Sequence, residues 1–421
     1  MKVLVIGAAG KMGKAVVSYF AHDREIEALG ILDAQVQPLK SLAEGGAAGK
    51  TRLHPINIEN AAELHQVMKQ YDVAVVTLPN RKLSYKVMEA AIDARLNLVD
   101  ILEEYHRRPD TYQTEGFVLP SDRGSFEEYG EQLHEKAVRN DVLILDGMGF
   151  APGLSNITTA RGISLLDEAE TVIARVGGIP NIECCAEHPL RYMTTWSLEH
   201  VLREYSIKTQ ILKGGKKVEV PALADQETFR FAEFGIDEEL ECAITPGMPS
   251  FVHTHPDLQY FAEKTVRWPG HYQGVRTLVE CGLFDERPVN FGGTLISPRE
   301  FLLKTINPLL IPQEGDGDVC IMYITVLGRK NQAPLKVEYF MWEEVDKEFS
   351  AMARVTGFPA AIGAKLVASG RIDLRGLRAP EECVLGDDYE WFLKELKKKD
   401  ISIKEKISPA EAVQDRVPEQ A

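Results

Sequence analysis

A chain of 421 residues, 44% apolar and 26% charged, is long enough for two or three separately cored domains and has the balance of an ordinary soluble protein. A net charge of −15 with no basic block argues against nucleic acid and anionic membrane as partners, since both are met by clustered Lys and Arg. No apolar run reaches bilayer-spanning length, and Lys2 leads straight into a strand without a signal peptide, so a cytoplasmic protein is expected.

The first third alternates short apolar runs with amphipathic stretches. The pattern predicts strands at 3–6, 27–32, 72–78, 97–101 and 142–145, and helices at 12–21, 84–95 and 127–139. Strands without polar alternation, separated by helices, belong to a parallel sheet covered on both faces. Residues 104–126 break the rhythm and read as an inserted surface loop or lid. From about residue 170 the segments become shorter and more alternating. Residues 171–177, 210–220, 227–234, 317–328 and 335–342 are strand candidates, the last two a pair joined by a polar turn. Residues 350–370 and 388–399 return to helix, and the charged tail after Lys404 reads as frayed. The expected fold is α/β: a Rossmann-type doubly wound parallel sheet over 1–155, followed by an α+β domain on a mixed, largely antiparallel sheet over 156–345. Helices in 346–421 then return to the first domain.

Gly7-Ala8-Ala9-Gly10-Lys11-Met12-Gly13 joins strand one to helix one as G-x-x-G-x-x-G. Gly7 permits the tight turn, Gly10 lets the backbone approach a pyrophosphate, and Gly13 lets the helix pack on the sheet. The phosphates of a dinucleotide then meet the free N–H groups of the helix N-terminus. Asp33 ends strand two, 20 positions past Gly13, where a carboxylate accepts both hydroxyls of the adenine ribose. With no nearby Arg to receive a 2′-phosphate, NAD is expected over NADP. Ala9, Lys11 and Met12 belong to the same turn. Leu78 and Pro79, with Asn80, would run along the cofactor towards its nicotinamide.

Asp146-Gly147-Met148-Gly149-Phe150-Ala151-Pro152-Gly153-Leu154-Ser155-Asn156 follows the last parallel strand, where substrates of doubly wound folds bind. Gly153 is a substrate-facing candidate, and Ser155 or Asn156 either caps the next helix or meets a ligand. The segments GFAPGLSN, ARVGGIP (174–180), YMTTWSLE (192–199), KTVRWPGH (264–271) and SAMARVTGFPAA (350–361) occur in this order. Together they resemble the saccharopine dehydrogenase and lysine 6-dehydrogenase family, with the lysine branch nearest. Two positions differ from the saccharopine reductases. Ala151 stands where those carry Asp, and the Pro246–Ser250 loop has Met248 where they tend to carry Arg.

The resemblance implies NAD-dependent oxidative deamination of the side-chain amine of lysine or a close relative. Its alternatives are a secondary amine such as saccharopine and a non-catalytic NAD sensor of the same fold. It implies a pocket between two domains, lined by Trp196, Ser197, Thr265 and Arg267, with Asp100 facing the nicotinamide end of the cofactor. Oxidising a carbon–nitrogen centre requires a neutral amine, hence a base. His271 is the first candidate, with helix capping as its competing role, and Asp100 is the second. Arg267 is the candidate for a substrate carboxylate, which its planar fork suits, and Arg191 is a weaker one. Trp196 either lines the pocket or packs in the core, and Arg354 reads as a structural ion-pair residue. His253-x-His255 lacks a third ligand in a recognisable spacing, so no metal is expected. No G-x-S-x-G elbow supports a nucleophilic serine. The six cysteines, without C-x-x-C spacing, read as reduced thiols, and a homodimer is the expected assembly.

Overall fold

The computed structural model describes residues 1–45, 49–79, 81–109, 119 and 123–410. The chain divides into two compact units. The first comprises Met1–Ser164, Met248–His255 and Ala353–Ser402, and the second comprises Leu165–Gly247, Pro256–Met352 and the chain from Ile403 onward. The helix Leu154–Ser164 and the short segment 248–255 thus belong with the glycine-rich turn, although the sequence pattern grouped them with the second domain.

The first unit is built on β1 (Lys2–Ile6), β2 (Ala28–Leu32), β3 (Thr51–His54), β4 (Val73–Val76), β5 (Asn97–Asp100) and β6 (Leu143–Leu145). Their spatial order is β3-β2-β1-β4-β5-β6, and a seventh strand from far along the chain, Gly376–Arg378, closes the β6 edge. All pairs are parallel. The order reverses between β1 and β4, the position where open α/β sheets place their ligands. Val3 to Ile6, Val73 to Val75 and Leu98 to Val99 have no exposed surface, which is why these strands read as unbroken apolar runs. β3 was missed because its pattern is partly exposed and polar at the sheet edge.

Helix α1 (Lys11–Ala21) starts on Gly10 and packs through Gly13, where an added Cβ would lie 2.2 Å from the Gly7 carbonyl. The long helix Ala351–Ala368 sets Gly357 against α1, where a Cβ would meet that of Ala15 at 2.8 Å. Arg354 on this helix donates to the Lys399 carbonyl at 3.0 Å, a tie within the unit.

The second unit carries a nine-stranded sheet. Its path runs Glu227–Phe231, Glu238–Ile244, Tyr260–Arg267, Glu168–Pro180, Asp318–Lys330, Ala333–Glu344 and Lys404–Pro409, with the hairpin Lys208–Lys213 and Lys216–Pro221 attached at Tyr260–Phe261. Tyr260–Arg267 pairs parallel with Glu168–Pro180, and the other pairs are antiparallel. The expected strand pair at 317–342 is present and longer than read. The tail read as frayed is a strand as far as Pro409, because Leu335 to Phe340 offer it a free edge. Every residue of Tyr260–Arg267 is buried, including the three charged ones, Glu263, Lys264 and Arg267. Glu263 accepts from the Thr245 hydroxyl at 2.7 Å and the Gly247 N–H at 2.9 Å, and Lys264 meets Asp225 at 2.8 Å. These pairings supply the hydrogen bonds that burial would otherwise remove.

Gly13→Ala should be felt twice. Its Cβ has no room, so overpacking should cost about 1–3 kcal/mol in urea unfolding, and NADH fluorescence titration should show dinucleotide affinity falling by at least about tenfold. Unchanged values in both measurements would refute this account of the turn.

Candidate functional site

The glycine-rich turn is shaped for a dinucleotide. Gly7 sits at φ +83°, and a Cβ there would meet the Thr77 hydroxyl at 2.9 Å and the Leu78 side chain at 3.2 Å. At Gly10 a Cβ would find no protein atom closer than 3.4 Å, so bare backbone faces outward at the helix start. Asp33 is fixed at both oxygens: Oδ2 accepts from the Ala9 N–H at 3.2 Å and Oδ1 from the Gln35 N–H at 3.0 Å. Turn, acidic residue and Leu78 are thereby brought together. Lys11 and Pro79 are exposed and Met12 half-buried, while Asn80 lies outside the described residues. The residues present fit a nicotinamide dinucleotide, with α1 at its phosphates and Asp33 at its ribose.

Next to this turn, the ends of β5 and β6 carry a buried polar cluster that the sequence reading saw only in part. Asp100 pairs across the sheet with Val76, one residue before Thr77. Its Oδ1 accepts from the Leu102 N–H at 2.6 Å, and its carbonyl accepts from Met148, inside the glycine-rich 146–153 turn, at 2.6 Å. Its Oδ2 is buried with no hydrogen-bond partner among the described residues. Burial pushes the Asp100 carboxyl up to about 7, opposed by His106 and reinforced by Asp146.

His106 lies between Asp146 and Ser84. Its Nδ1 is 2.7 Å from Asp146 Oδ1, its backbone N–H donates to Asp146 Oδ2 at 2.7 Å, and its Nε2 is 2.7 Å from the Ser84 hydroxyl. All three side chains are buried, and Ser84 donates onward to the Arg81 carbonyl at 2.7 Å. With its proton committed to a helix carbonyl and no exposed surface, Ser84 is not disposed as a nucleophile. Burial works against the His106 charge, yet Asp146 outweighs it and raises the imidazole to about 9. Arg81 and Glu104 form a second buried pair at 2.7 Å, with Tyr85 donating to Glu104 at 3.1 Å. The stretch 104–126 therefore does not begin as a surface loop, because residues 104–106 turn inward to meet charged partners. Residues 110–118 and 120–122 lie outside the described residues.

Gly153, at φ +129°, closes the turn after β6, and a Cβ there would sit 2.2 Å from the Gly149 carbonyl. Asn156 accepts from the Gly153 N–H at 3.0 Å and donates to Glu381 at 2.9 Å and to Ser250 at 3.1 Å. Ser250 and Thr254 donate to Glu381 at 2.7 and 2.8 Å. Asn156 thus ties the 248–255 segment to the rest of its unit. His253 rests against Tyr105 and His255 stacks on Phe251, so the two histidines have different neighbours.

In the second unit, Arg267, Tyr205 and His271 form one chain. Arg267 Nε donates to the Tyr205 oxygen at 2.8 Å, that oxygen lies 3.0 Å from His271 Nε2, and His271 Nδ1 is 2.9 Å from the Leu190 carbonyl. The guanidinium also lies over the Tyr192 ring at 5.0 Å and donates through Nη1 to the Val266 carbonyl at 2.8 Å. Burial first, and the Arg267 charge second, lower the His271 imidazole to about 3. A ring so weakly basic and engaged at both nitrogens is placed to support Arg267 rather than to take a proton. Thr265 is buried, its hydroxyl 2.6 Å from that of Thr245. Ser197 lies 2.8 Å from His200 Nδ1, Trp196 packs on an apolar cluster, and exposed Arg191 donates to the Pro269 carbonyl at 3.1 Å.

Known proteins give the comparison. Residues 3–143 match the model of the saccharopine dehydrogenase NADP binding domain, and residues 149–401 match that of the saccharopine dehydrogenase C-terminal domain. The mitochondrial alpha-aminoadipic semialdehyde synthase of Bos taurus is 20% identical over 90% of this chain and 45% of its own length. The mouse protein of that name is 25% identical over 52% of this chain, and the matched part is 21% of it. The chain thus spans less than half the length of these two relatives. The NADP(+), L-glutamate-forming saccharopine dehydrogenase of Pyricularia oryzae is 21% identical over 66% of this chain and 76% of its own. The apo saccharopine dehydrogenase (L-Glu forming) of Saccharomyces cerevisiae superposes with a TM-score of 0.75 at 18% identity, covering 97% and 99% of the two chains.

Protonation of the His106–Asp146 cluster should be visible in stability. A folded-state pKa of about 9 lies above the unfolded imidazole value of about 6.5, so this stabilisation is complete below about pH 6.5 and lost as pH rises through about 9. Asp100, raised to about 7, acts in the same direction from lower pH. The melting temperature should fall between these limits, and His106→Asn should cost most on the acidic side and least above about pH 9. A stability deficit that is flat with pH would contradict this assignment.

Proposed function

Because the chain belongs to the saccharopine dehydrogenase family, we propose that it transfers hydride between a nicotinamide dinucleotide and an amine-bearing carbon of lysine or a closely related amino acid. The observation that carries this reading is Asp100. It is a buried carboxyl at the end of a central parallel strand, with one oxygen unpartnered among the described residues and its pKa near neutrality. Such a group suits the one proton the chemistry must move.

Bound nicotinamide supplies the hydride acceptor. Asp100 Oδ2 takes a proton from the substrate ammonium, leaving the nitrogen lone pair that expels hydride from the adjacent carbon. The turn at 146–153 fixes Asp100 through the Met148 N–H. In the second unit, Arg267 keeps Nε and Nη1 engaged by Tyr205 and Val266. Neutral His271 keeps Tyr205 in place without adding a second positive charge. Water then hydrolyses the imine to a semialdehyde and ammonia.

A second reading has a secondary amine as substrate and glutamate as the nitrogen-containing product. It is favoured by relatives whose names specify L-glutamate formation. Ala151 and Met248, which offer no charge to a substrate with three carboxylates, favour the primary amine. For the cofactor, the Asp33 carboxylate favours NAD, while the names of the family model and of these relatives carry NADP.

A panel of lysine, ornithine, saccharopine and carboxy-polyamines, read by reduced-cofactor absorbance with NAD and NADP in parallel, tests the reading. Ammonia without glutamate is the expected product, and glutamate transfers the assignment to the secondary amine. KM should be at least about tenfold lower with NAD, because a carboxylate opposes a 2′-phosphate; the reverse order overturns the role given to Asp33. For the base, kcat should rise with pH through about 7. Asp100→Asn should lower kcat by about 10²–10⁴ with dinucleotide affinity nearly unchanged. An Asp100→Asn enzyme with native kcat would remove Asp100 from the mechanism.

A further inference from the structure

The second unit places a soft, a borderline and a hard ligand around one point. Cys184 Sγ, His188 Nε2 and an Asp316 carboxylate oxygen all lie within 4.8 Å of one another. Cys184 and His188 are four residues apart on either side of the 3₁₀ turn Cys185–Glu187, while Asp316 arrives from the loop before the strand Asp318–Lys330. His188 Nε2 and Asp316 Oδ2 are already 2.9 Å apart. The sequence reading looked for metal ligands at His253 and His255 and passed over this set, whose third member is 128 residues from its second.

The surroundings hold each ligand in place. His188 Nδ1 lies 3.4 Å from the Leu309 carbonyl, an arrangement that leaves Nε2 as the coordinating nitrogen. Asp316 Oδ2 accepts from the Gln313 N–H at 2.6 Å. The Cys184 N–H donates to the Asn181 side chain at 3.2 Å, and the Asn181 N–H donates to the Gly317 carbonyl at 2.8 Å, fastening the two loops together. Cys184 and His188 are buried and Asp316 is partly exposed, so an ion has a way in.

We propose that Cys184, His188 and Asp316 bind a zinc-class divalent cation, with water completing a tetrahedral shell. A thiolate with an imidazole selects zinc-like ions over calcium or magnesium, which require oxygen ligands. Binding displaces the Cys184 thiol proton to solvent and uses the lone pairs of the thiolate, of neutral His188 and of the Asp316 carboxylate. The ion ties the 184–188 turn to the 313–317 loop. Two residues further on, Leu190 and Arg191 adopt φ of +59° and +49°. The Leu190 carbonyl is the one facing His271. The site therefore anchors the backbone that supports the Arg267–Tyr205–His271 chain, and it does so whatever the substrate.

The test is cobalt titration of the full chain after dialysis against a chelator, followed by competition with zinc. One equivalent should produce a thiolate-to-cobalt charge-transfer band together with the visible bands of a four-coordinate ion, and zinc should erase both. Cys184→Ser should lose the charge-transfer band, and Cys185→Ser and Cys281→Ser should keep it. Asp316→Asn, which preserves shape, should weaken cobalt binding about a hundredfold or more. Near-ultraviolet circular dichroism reports whether each variant is folded; should Cys184→Ser fail to fold, Asp316→Asn and the wild-type band decide. Absence of the band in the wild type, its loss in Cys185→Ser or Cys281→Ser instead, or unchanged affinity in Asp316→Asn would overturn the proposal.

Discussion

A carboxylate at the end of a buried parallel strand must find its hydrogen bonds among the segments that leave the strand ends, and much of the first unit is arranged around that requirement. β5 ends on Asp100, and the residue after β6 is Asp146. Both side chains are buried. Asp146 is satisfied by the His106 ring and backbone N–H, whereas among the described residues Asp100 is satisfied at only one oxygen. Desolvating a carboxylate without partners costs several kcal/mol, so two like groups this close cannot both be left bare. One is neutralised by an imidazolium, and the other is held near its protonation midpoint.

The same requirement explains what could be read from the sequence. The apolar strands, the glycine turn and Asp33 are local patterns, in which each signal lies within a few residues of what it specifies. The strands and the turn appear where expected, and Asp33 follows the second strand beside that turn. The His106–Asp146 pair joins residues 40 apart, and its histidine sits in a stretch whose composition reads as a loop. Nothing in hydrophobic periodicity reports a buried charge pair. The tail strand was hidden for a related reason. Lys404–Pro409 is mostly exposed and charged, and it is a strand because the neighbouring strand lends it an edge. The placement of 248–255 in the first unit likewise depends on Asn156, Ser250 and Glu381, which only tertiary structure brings into contact.

Sequence reasoning ranked His271 above Asp100 because imidazole ordinarily titrates near neutrality. The ordinary value holds only in ordinary surroundings. His271 is buried beside a guanidinium, and both influences disfavour its charged form. Asp100 is buried away from any directly bonded cation, and burial moves a carboxyl in the opposite direction. Desolvation thus carries the histidine out of the useful range and the aspartate into it. The residue type suggested one base, and the environment favours the other.

Arg267 shows how such environments are maintained. A buried guanidinium needs acceptors and an electron-rich surface, and here they come from a tyrosine oxygen, backbone carbonyls and the Tyr192 face rather than from a carboxylate. A carboxylate partner would neutralise the charge and remove its attraction for an acidic ligand. Neutral acceptors keep it positive and oriented, and neutral His271 holds the tyrosine without adding charge. A histidine that cannot take a proton therefore adds no second positive charge beside the buried arginine.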